Sequence, residues 1–163
     1  MLYLGTALST KQSFYKELAA LTKEDGKRKV IVQGDFNAEF EINRMHSCFD
    51  GSRSNFDDGM NQTNENAMLY LQFCRNNNLS ILNTWFDHPL QHRVTWHHPN
   101  GVVRKIYDYS LCKPWLRRFI HDVRVKNSYF NSDHRLRITK LQTPSNKAAR
   151  YGKNCLEHLN SHN

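Results

Sequence analysis

Four residues of this 163-residue chain have the types and settings that catalysis needs: Asp35, Asn37, Asp108 and His134. The first two stand in "VIVQGDFNAE", residues 30 to 39, where a β-branched apolar run meets a glycine and then two polar side chains flanking Phe36. Side chains alternate faces along a strand, so Asp35 and Asn37 are expected on one side and Phe36 in the core. A carboxylate can bind a cation or move a proton, and a carboxamide can donate to an anionic oxygen without adding charge. Gly, Asp and Asn are also ordinary turn residues, so this stretch by itself reads equally as a turn.

Two further places add weight. "KIYDYSLC" sets Asp108 between Tyr107 and Tyr109 in an otherwise aromatic and apolar strand, where burying a carboxylate is costly without a partner. "NSDHRLRITKL" supplies His134 beside another strand, with Asp133 next to it. An imidazole held by a distant carboxylate has a fixed tautomer and a tuned pKa, which suits it to face a phosphate. Taken singly, Asp108 reads as a satisfied core acid and Ser132-Asp133 as a turn. Together they place acidic and basic groups at several strand ends.

"GDFNA" at 34–38, "YDY" at 107–109 and "SDH" at 132–134 occur in an order that resembles the signatures of the endonuclease/exonuclease/phosphatase superfamily. Within it, "LNTWF", "TWHHPNGVVRKIYDY", "NSYFNSDHRL" and "TPSNKAAR" are similar to the apurinic-type endonuclease domains of non-LTR retrotransposons, over most of residues 10 to 150. The resemblance implies a four-layered αββα sandwich that cleaves phosphoesters, here DNA, with Mg²⁺ (or Mn²⁺). By the same resemblance Asp35 activates the attacking water or protonates the leaving oxygen, and Asn37 holds a phosphate oxygen. His134 contacts the scissile phosphate, oriented by Asp108, and Asp133 lies near the metal or phosphate. Tyr3, in "LYLGT", corresponds to the family's phosphate-contacting tyrosine.

Family domains carry an earlier segment with an Asn and the main metal-binding Glu, whereas only residues 1–29 precede Val30 here. No "NxxG" strand fits in that space, and no motif makes Glu39 or Glu41 a substitute. The expectation is an α/β (α+β) fold forming the C-terminal portion of the αββα sandwich, residues 1–143, followed by a polar tail or linker remnant at 144–163. An ancestral link to a reverse transcriptase domain goes with it. The alternatives are a non-catalytic, degenerate retroelement remnant with weak nucleic-acid binding, and a phosphatase of the same superfamily.

These side chains need elements to position them. Phe14, Leu18 and Leu21 recur at helical spacing and predict a helix from about Thr10 to Lys23, capped by Ser9 or Thr10 and followed by Gly26. Val30-Ile31-Val32 reads as a short strand buried on both faces. Residues 38 to 63 read as a long polar surface loop. Asn64 caps a second helix running to about Arg75, with Met68, Leu71 and Cys74 as its apolar stripe. Residues 80–83 read as a strand, and "RVTWHHPNGVVRKIYDYSLC" as a hairpin turning at Pro99-Asn100-Gly101. A helical turn at 115–120, a strand at "HDVRVKN" and a half-buried strand at "LRITKL", alternating Leu136 and Ile138 with Arg137 and Thr139, complete the series.

Twenty-three Lys and Arg against fifteen Asp and Glu leave a net charge of +8, which favours a polyanionic partner. Arg104-Lys105, Arg117-Arg118 and Arg135 with Arg137 can touch a DNA backbone or form ordinary solvated surface. Cys48, Cys74, Cys112 and Cys155 form no CxxC pair and read as reduced thiols of an intracellular protein, nuclear if it acts on DNA. His88, His92, His97 and His98, with Cys112, fit no standard zinc spacing and read better as hairpin-surface histidines. Trp85, Trp96 and Trp115 read as core residues rather than base-stacking platforms. No apolar run reaches bilayer-spanning length, so no membrane partner is expected.

Overall fold

The computed structural model describes residues 5–23, 29–40, 63–126 and 132–142. Tyr3, Gly26, Glu41, Cys48, Cys155, most of the polar loop, the start of "NSYFNSDHRL" and the tail beyond residue 142 lie outside the described residues. The elements run α1 (Leu8–Thr22), β1 (Ile31–Asp35), α2 (Glu65–Asn76), β2 (Ser80–Ile81), β3 (Trp96–His97), β4 (Arg104–Lys105), β5 (Asp108–Cys112), β6 (Ile120–Lys126) and β7 (Leu136–Leu141). Short 3-10 turns sit at Leu82–Thr84, Leu90–His92 and Pro114–Phe119, the last close to the turn expected at 115–120.

β1, β5 and β2 form an antiparallel sheet with β5 in the centre. The alternation of β5 decides what each face meets. Tyr109 and Leu111 join Phe36, Tyr70, Ala67 and Tyr15 in a core under the two helices. Cys112, on the opposite face, packs with Leu82, Leu116, Ile120 and Val123 toward the β6–β7 pair. Among the described residues this gives a helix layer, a sheet and a second sheet, the mixed helix-and-sheet class expected. Aromatic rings hold the first core together: Tyr70 lies 4.8 Å from Phe36 and 5.1 Å from Tyr109, centroid to centroid. Such pairs contribute about 0.5–1.5 kcal/mol each beyond the area they bury.

Both helices form where periodicity puts them, but their buried faces differ from the expected stripes. α1 buries Lys11, Tyr15 and Thr22 and leaves Leu21 at 69% exposure. Its N-cap is Ala7, without a side-chain bond, rather than Ser9 or Thr10. The buried Lys11 ammonium reaches Glu65 and ties α1 to the first turn of α2. Asn64 does cap α2, its side chain accepting from Ala67 N at 2.8 Å. The face turned inward is Asn66, Ala67, Tyr70, Phe73 and Cys74, while Met68 is 53% exposed. In each helix an aromatic pair, Tyr15 with Phe73 at 5.2 Å, outweighs an aliphatic side chain in choosing the face.

The strands depart in three ways. β1 is half-buried rather than enclosed on both faces, because it lies at the edge of its sheet. The return arm of the hairpin is broken: Arg104–Lys105 pairs with Trp96–His97, and after Ile106 and Tyr107 the chain joins the other sheet as β5. In β7 the expected alternation is not seen in the burial: Arg137, Ile138 and Thr139 are all half-buried and Leu136 is half exposed, while Thr139 bonds Ser110 and Gln33 across the sheets. The gap between the sheets is polar at this end, so Arg137 and Thr139 suit it better than Leu136. Trp115 is 41% exposed and leaves the core that was expected to hold it.

Thr95 fixes the break in the hairpin. It is fully buried, and its hydroxyl accepts the N–H groups of Tyr107 at 2.9 Å and Asp108 at 3.1 Å. Its backbone N–H donates to Lys105 O, and its carbonyl accepts from Arg135 N at 2.8 Å. Thr95→Val keeps the shape but strands two amide donors. The expected loss is about 2 kcal/mol or more of unfolding free energy, given about 1–3 kcal/mol for each orphaned buried group. Urea unfolding followed by tryptophan fluorescence checks it, with Thr95→Ser retaining most of the stability.

Candidate active site

β1 and β5 are in register so that Asp35 lies directly opposite Asp108. Opposed residues of an antiparallel pair project to the same face, so two carboxylates meet there. His134 arrives from a distant part of the chain. A single β-bridge pairs it with Trp96, and His97 N donates to Asp133 O at 3.0 Å beside it. The imidazole then stands with Nδ1 2.9 Å from Asp108 Oδ2 and Nε2 3.9 Å from Asp35 Oδ2.

Asn37 joins them by a route other than strand alternation. β1 ends at Asp35, and Asn37 takes a left-handed backbone, φ 47°, a region Asn tolerates better than most residues. That bend lets Asn37 N donate to Asp35 Oδ1 at 2.8 Å and Nδ2 to Oδ2 at 3.3 Å. The turn reading and the site reading therefore describe the same residues. Asn64 and Asn66 donate from α2 to the Asn37 carbonyl at 2.9 and 3.3 Å, so the helix start also clamps the site loop. Phe36, 3% exposed, anchors it from below as expected.

Burial raises the Asp35 pKa above the ordinary carboxylate range, with the Asp108 charge adding to it. The Asn37 N–H and the His134 ring pull the other way but do not cancel the burial. The 3.9 Å between Asp35 and His134 Nε2 exceeds a direct hydrogen bond. Two contacts of about 2.8 Å meeting at a right angle span that distance, so one oxygen atom can touch both groups. With Nδ1–H committed to Asp108, the ring presents Nε2 to that oxygen. The set can hold a water or a phosphoryl oxygen and move a proton to or from it.

Asp133 is turned away. Its carboxylate accepts from Trp96 Nε1 at 2.7 Å, which lowers its pKa, and it sits on the surface. Among the described residues, no group of three or more His, Cys, Asp and Glu side chains is placed to hold a metal ion. Asp35, Asp108, Glu39 and Asp133 each accept from protein donors, and no three of them converge on one point, so these side chains by themselves do not make a complete cation site.

Three residues support the site in roles that the sequence did not assign to them. Glu39 accepts from the Tyr107 hydroxyl at 2.6 Å and from Lys105 Nζ at 2.9 Å, beside Asp35. Arg137 is largely buried, and the charge of Asp108 acts on it; it faces the interior rather than a DNA backbone. Thr95 had only its place in "VTW". Each acts through a partner distant in sequence, and no short-range signal marks it. Of the other basic residues, Arg117 stacks 3.9 Å over Trp85. Cys112 is buried away from the histidines, and His88 pairs with Asp122 at 2.7 Å.

No family model matches the chain. Craniofacial development protein 2 of Bos taurus is 30% identical over 131 residues, covering 79% of this chain and 21% of that protein. The Tragulus javanicus protein of the same name is likewise 30% identical, with 22% of its length covered, so the chain spans about a fifth of these curated relatives. Among solved structures it is similar to the endonuclease domain of TRAS1, a telomere-specific non-LTR retrotransposon, with TM-score 0.59, 14% identity and coverage of 88% of this chain and 56% of that one. The AP endonuclease LMAP from Leishmania major gives 0.58 at 18% identity, covering 84% and 44%. The 3′ phosphatase NExo from Neisseria, bound to a product DNA hairpin, gives 0.58 at 17%, covering 86% and 56%. The chain thus shares a fold with these endonuclease and phosphatase structures.

The raised Asp35 pKa has a signed consequence. The protonated acid suits the fold better, so its contribution is complete below the unfolded pKa of about 3.9 and is lost as pH rises through the raised folded value. At neutral pH the ionised Asp35 therefore costs stability. Asp35→Asn is expected to melt at or above the wild-type temperature at pH 7, with the difference shrinking toward pH 4. Paired thermal melts across that range check it, and a variant less stable at pH 7 contradicts the sign.

Proposed function

We propose that this chain carries the catalytic carboxylate–histidine half of a phosphodiesterase of the DNA endonuclease type, related to retroelement nucleases. The observation that carries the reading is the geometry of Asp35, His134 and Asp108, with His134 2.9 Å from one carboxylate and 3.9 Å from the other. Asp108 orients the imidazole. His134 Nε2 meets a phosphoryl oxygen, Asp35 takes a proton from the attacking water or returns one to the leaving oxygen, and Asn37 donates to a second phosphate oxygen. The raised pKa of Asp35 brings its proton affinity closer to neutral pH, as acid–base work requires.

Mg²⁺ or Mn²⁺ would offset the charge that builds on phosphorus. Part of its ligand set would have to come from beyond the described His, Cys, Asp and Glu side chains, and no step above is routed through it. DNA is the proposed substrate, supported by the net charge of +8 and by structural neighbours that include two endonucleases and a phosphatase bound to a DNA product. A linked reverse transcriptase domain belongs to the same proposal, as does the partition into a partial domain, 1–143, and a polar tail. One observation favours a second reading, a non-catalytic remnant that binds nucleic acid: among the described residues no three His, Cys, Asp or Glu side chains converge to hold a metal ion.

Supercoiled plasmid separates the readings. Under the leading one, nicking appears with Mg²⁺ or Mn²⁺, stops with EDTA, and falls about 10²-fold or more in Asp35→Asn and His134→Ala. Equal nicking by wild type and both variants would overturn the assignment. Salt-sensitive DNA binding without turnover in either metal supports the non-catalytic reading. Release of phosphate from 3′-phosphorylated DNA without nicking supports the superfamily phosphatase.

A further inference from the structure

A second cationic site lies beside the first. Gln91, His92, Val94, His97, Arg104 and Arg135 line an open cavity of about 340 Å³ between the 3-10 turn at Leu90–His92 and the β3–β4 hairpin. His97 and Arg104 sit opposite each other in the hairpin register, and Arg135 directly follows His134. Two guanidinium groups and two imidazoles share the space, and the lining contains no carboxylate. The Arg135 guanidinium donates to the Gln91 carbonyl at 3.2 Å, which holds it at the cavity without neutralising it.

The cavity is built rather than incidental. His97 Nε2 is buried and has no hydrogen-bond partner. Burial, then the charges of Arg135 and Arg104, hold the His97 pKa below its usual value. Burial and Arg104 likewise lower that of Arg135. Crowded like charges destabilise the protein unless an anion sits among them. Arginine forks and an imidazole N–H together match the tetrahedral oxygens of a phosphate better than they match a planar carboxylate of a side chain.

We infer that this cavity binds a phosphate group, on a nucleic-acid strand a backbone phosphate flanking the one at His134. The placing on a strand rests on the phosphodiesterase reading; the anion site does not. In its strand-bound form the phosphate would fix the register of the substrate while His134, the residue before Arg135, acts with Asp35 on the neighbouring phosphate.

Two measurements on the full chain test this. Inorganic phosphate is titrated into ¹⁵N-labelled protein while the His97 ring resonances are followed. Duplex DNA binding is followed by fluorescence anisotropy as salt is raised, for wild type, for Arg104→Gln with Arg135→Gln, and for Lys16→Gln, a control that is exposed on α1. The expected result is a phosphate-dependent shift of His97 that the double variant loses, and a log affinity–log salt slope shallower by about one unit, with affinity down on the order of tenfold. Lys16→Gln should leave both unchanged, and Arg104→Lys with Arg135→Lys should restore the slope, which separates lost charge from lost fold. A His97 shift with an unchanged slope assigns the site to a free or terminal phosphate. Neither a shift nor a slope change overturns the proposal. Because binding is read without turnover, failure of plasmid nicking leaves this result intact, and nicking that survives alongside an unaltered slope removes the pocket alone.

Discussion

The Thr95 hydroxyl accepts two backbone N–H groups, from Tyr107 and Asp108, and on that shared oxygen the placing of the site depends. A hydroxyl has two lone pairs, and here both are used by donors that face no water. The same residue binds Lys105 on one side and Arg135 on the other through its backbone. Segments far apart in sequence, those carrying Asp108 and His134, are thereby set against one another before their side chains make any contact. The hydrogen bond between His134 and Asp108 is the result of this arrangement rather than its cause. A partly exposed pair of that kind contributes too little to order two chain segments alone.

Polarity changes steadily along the face that β1 and β5 present to the second sheet. At one end Ile31 lies opposite Cys112 and joins an apolar cluster. In the middle Gln33, Ser110 and Thr139 exchange hydrogen bonds. At the far end Asp35 and Asp108 meet His134. The apolar end supplies burial, and the polar end spends part of it on two opposed carboxylates. The elevated Asp35 pKa is the local mark of that exchange. Sites that gather like charges commonly lower stability in this way, and the aromatic core under the helices offsets the cost.

Much of the site was legible because its residues stand in short motifs with strong local preferences. "GDFNA" encodes a strand end followed by an Asn in a left-handed bend, and "YDY" encodes an acid in a buried strand. Asn64 was readable as a helix cap because capping is a local bond. What periodicity could not choose was a face. Leu21 and Met68 fit helical stripes but lie outside, since Tyr15, Tyr70 and Phe73 bury more area on a neighbouring face. The strand at β7 was right but its expected apolar face was not, because the surface it meets is Ser110 and Asp108 rather than an apolar core. Thr95, Glu39 and Arg137 stayed hidden for the same reason. Their partners lie 12 to 68 positions away or are felt only as charge across the sheets.

The hairpin beyond Trp96 and Lys105 ends in a tight turn of its own. His98 N donates to Val103 O, Gly101 N to His98 O, and Gly101 takes φ 75° to close it. Every residue from His98 to Val103 is exposed, and none of them reaches back to Asp35, Asp108 or His134. The knot at Thr95 thus divides the hairpin into a fixed root and an independent tip. Such a tip is an exchangeable module: its length and composition can drift, or be replaced by grafting, while the geometry at the root is inherited unchanged.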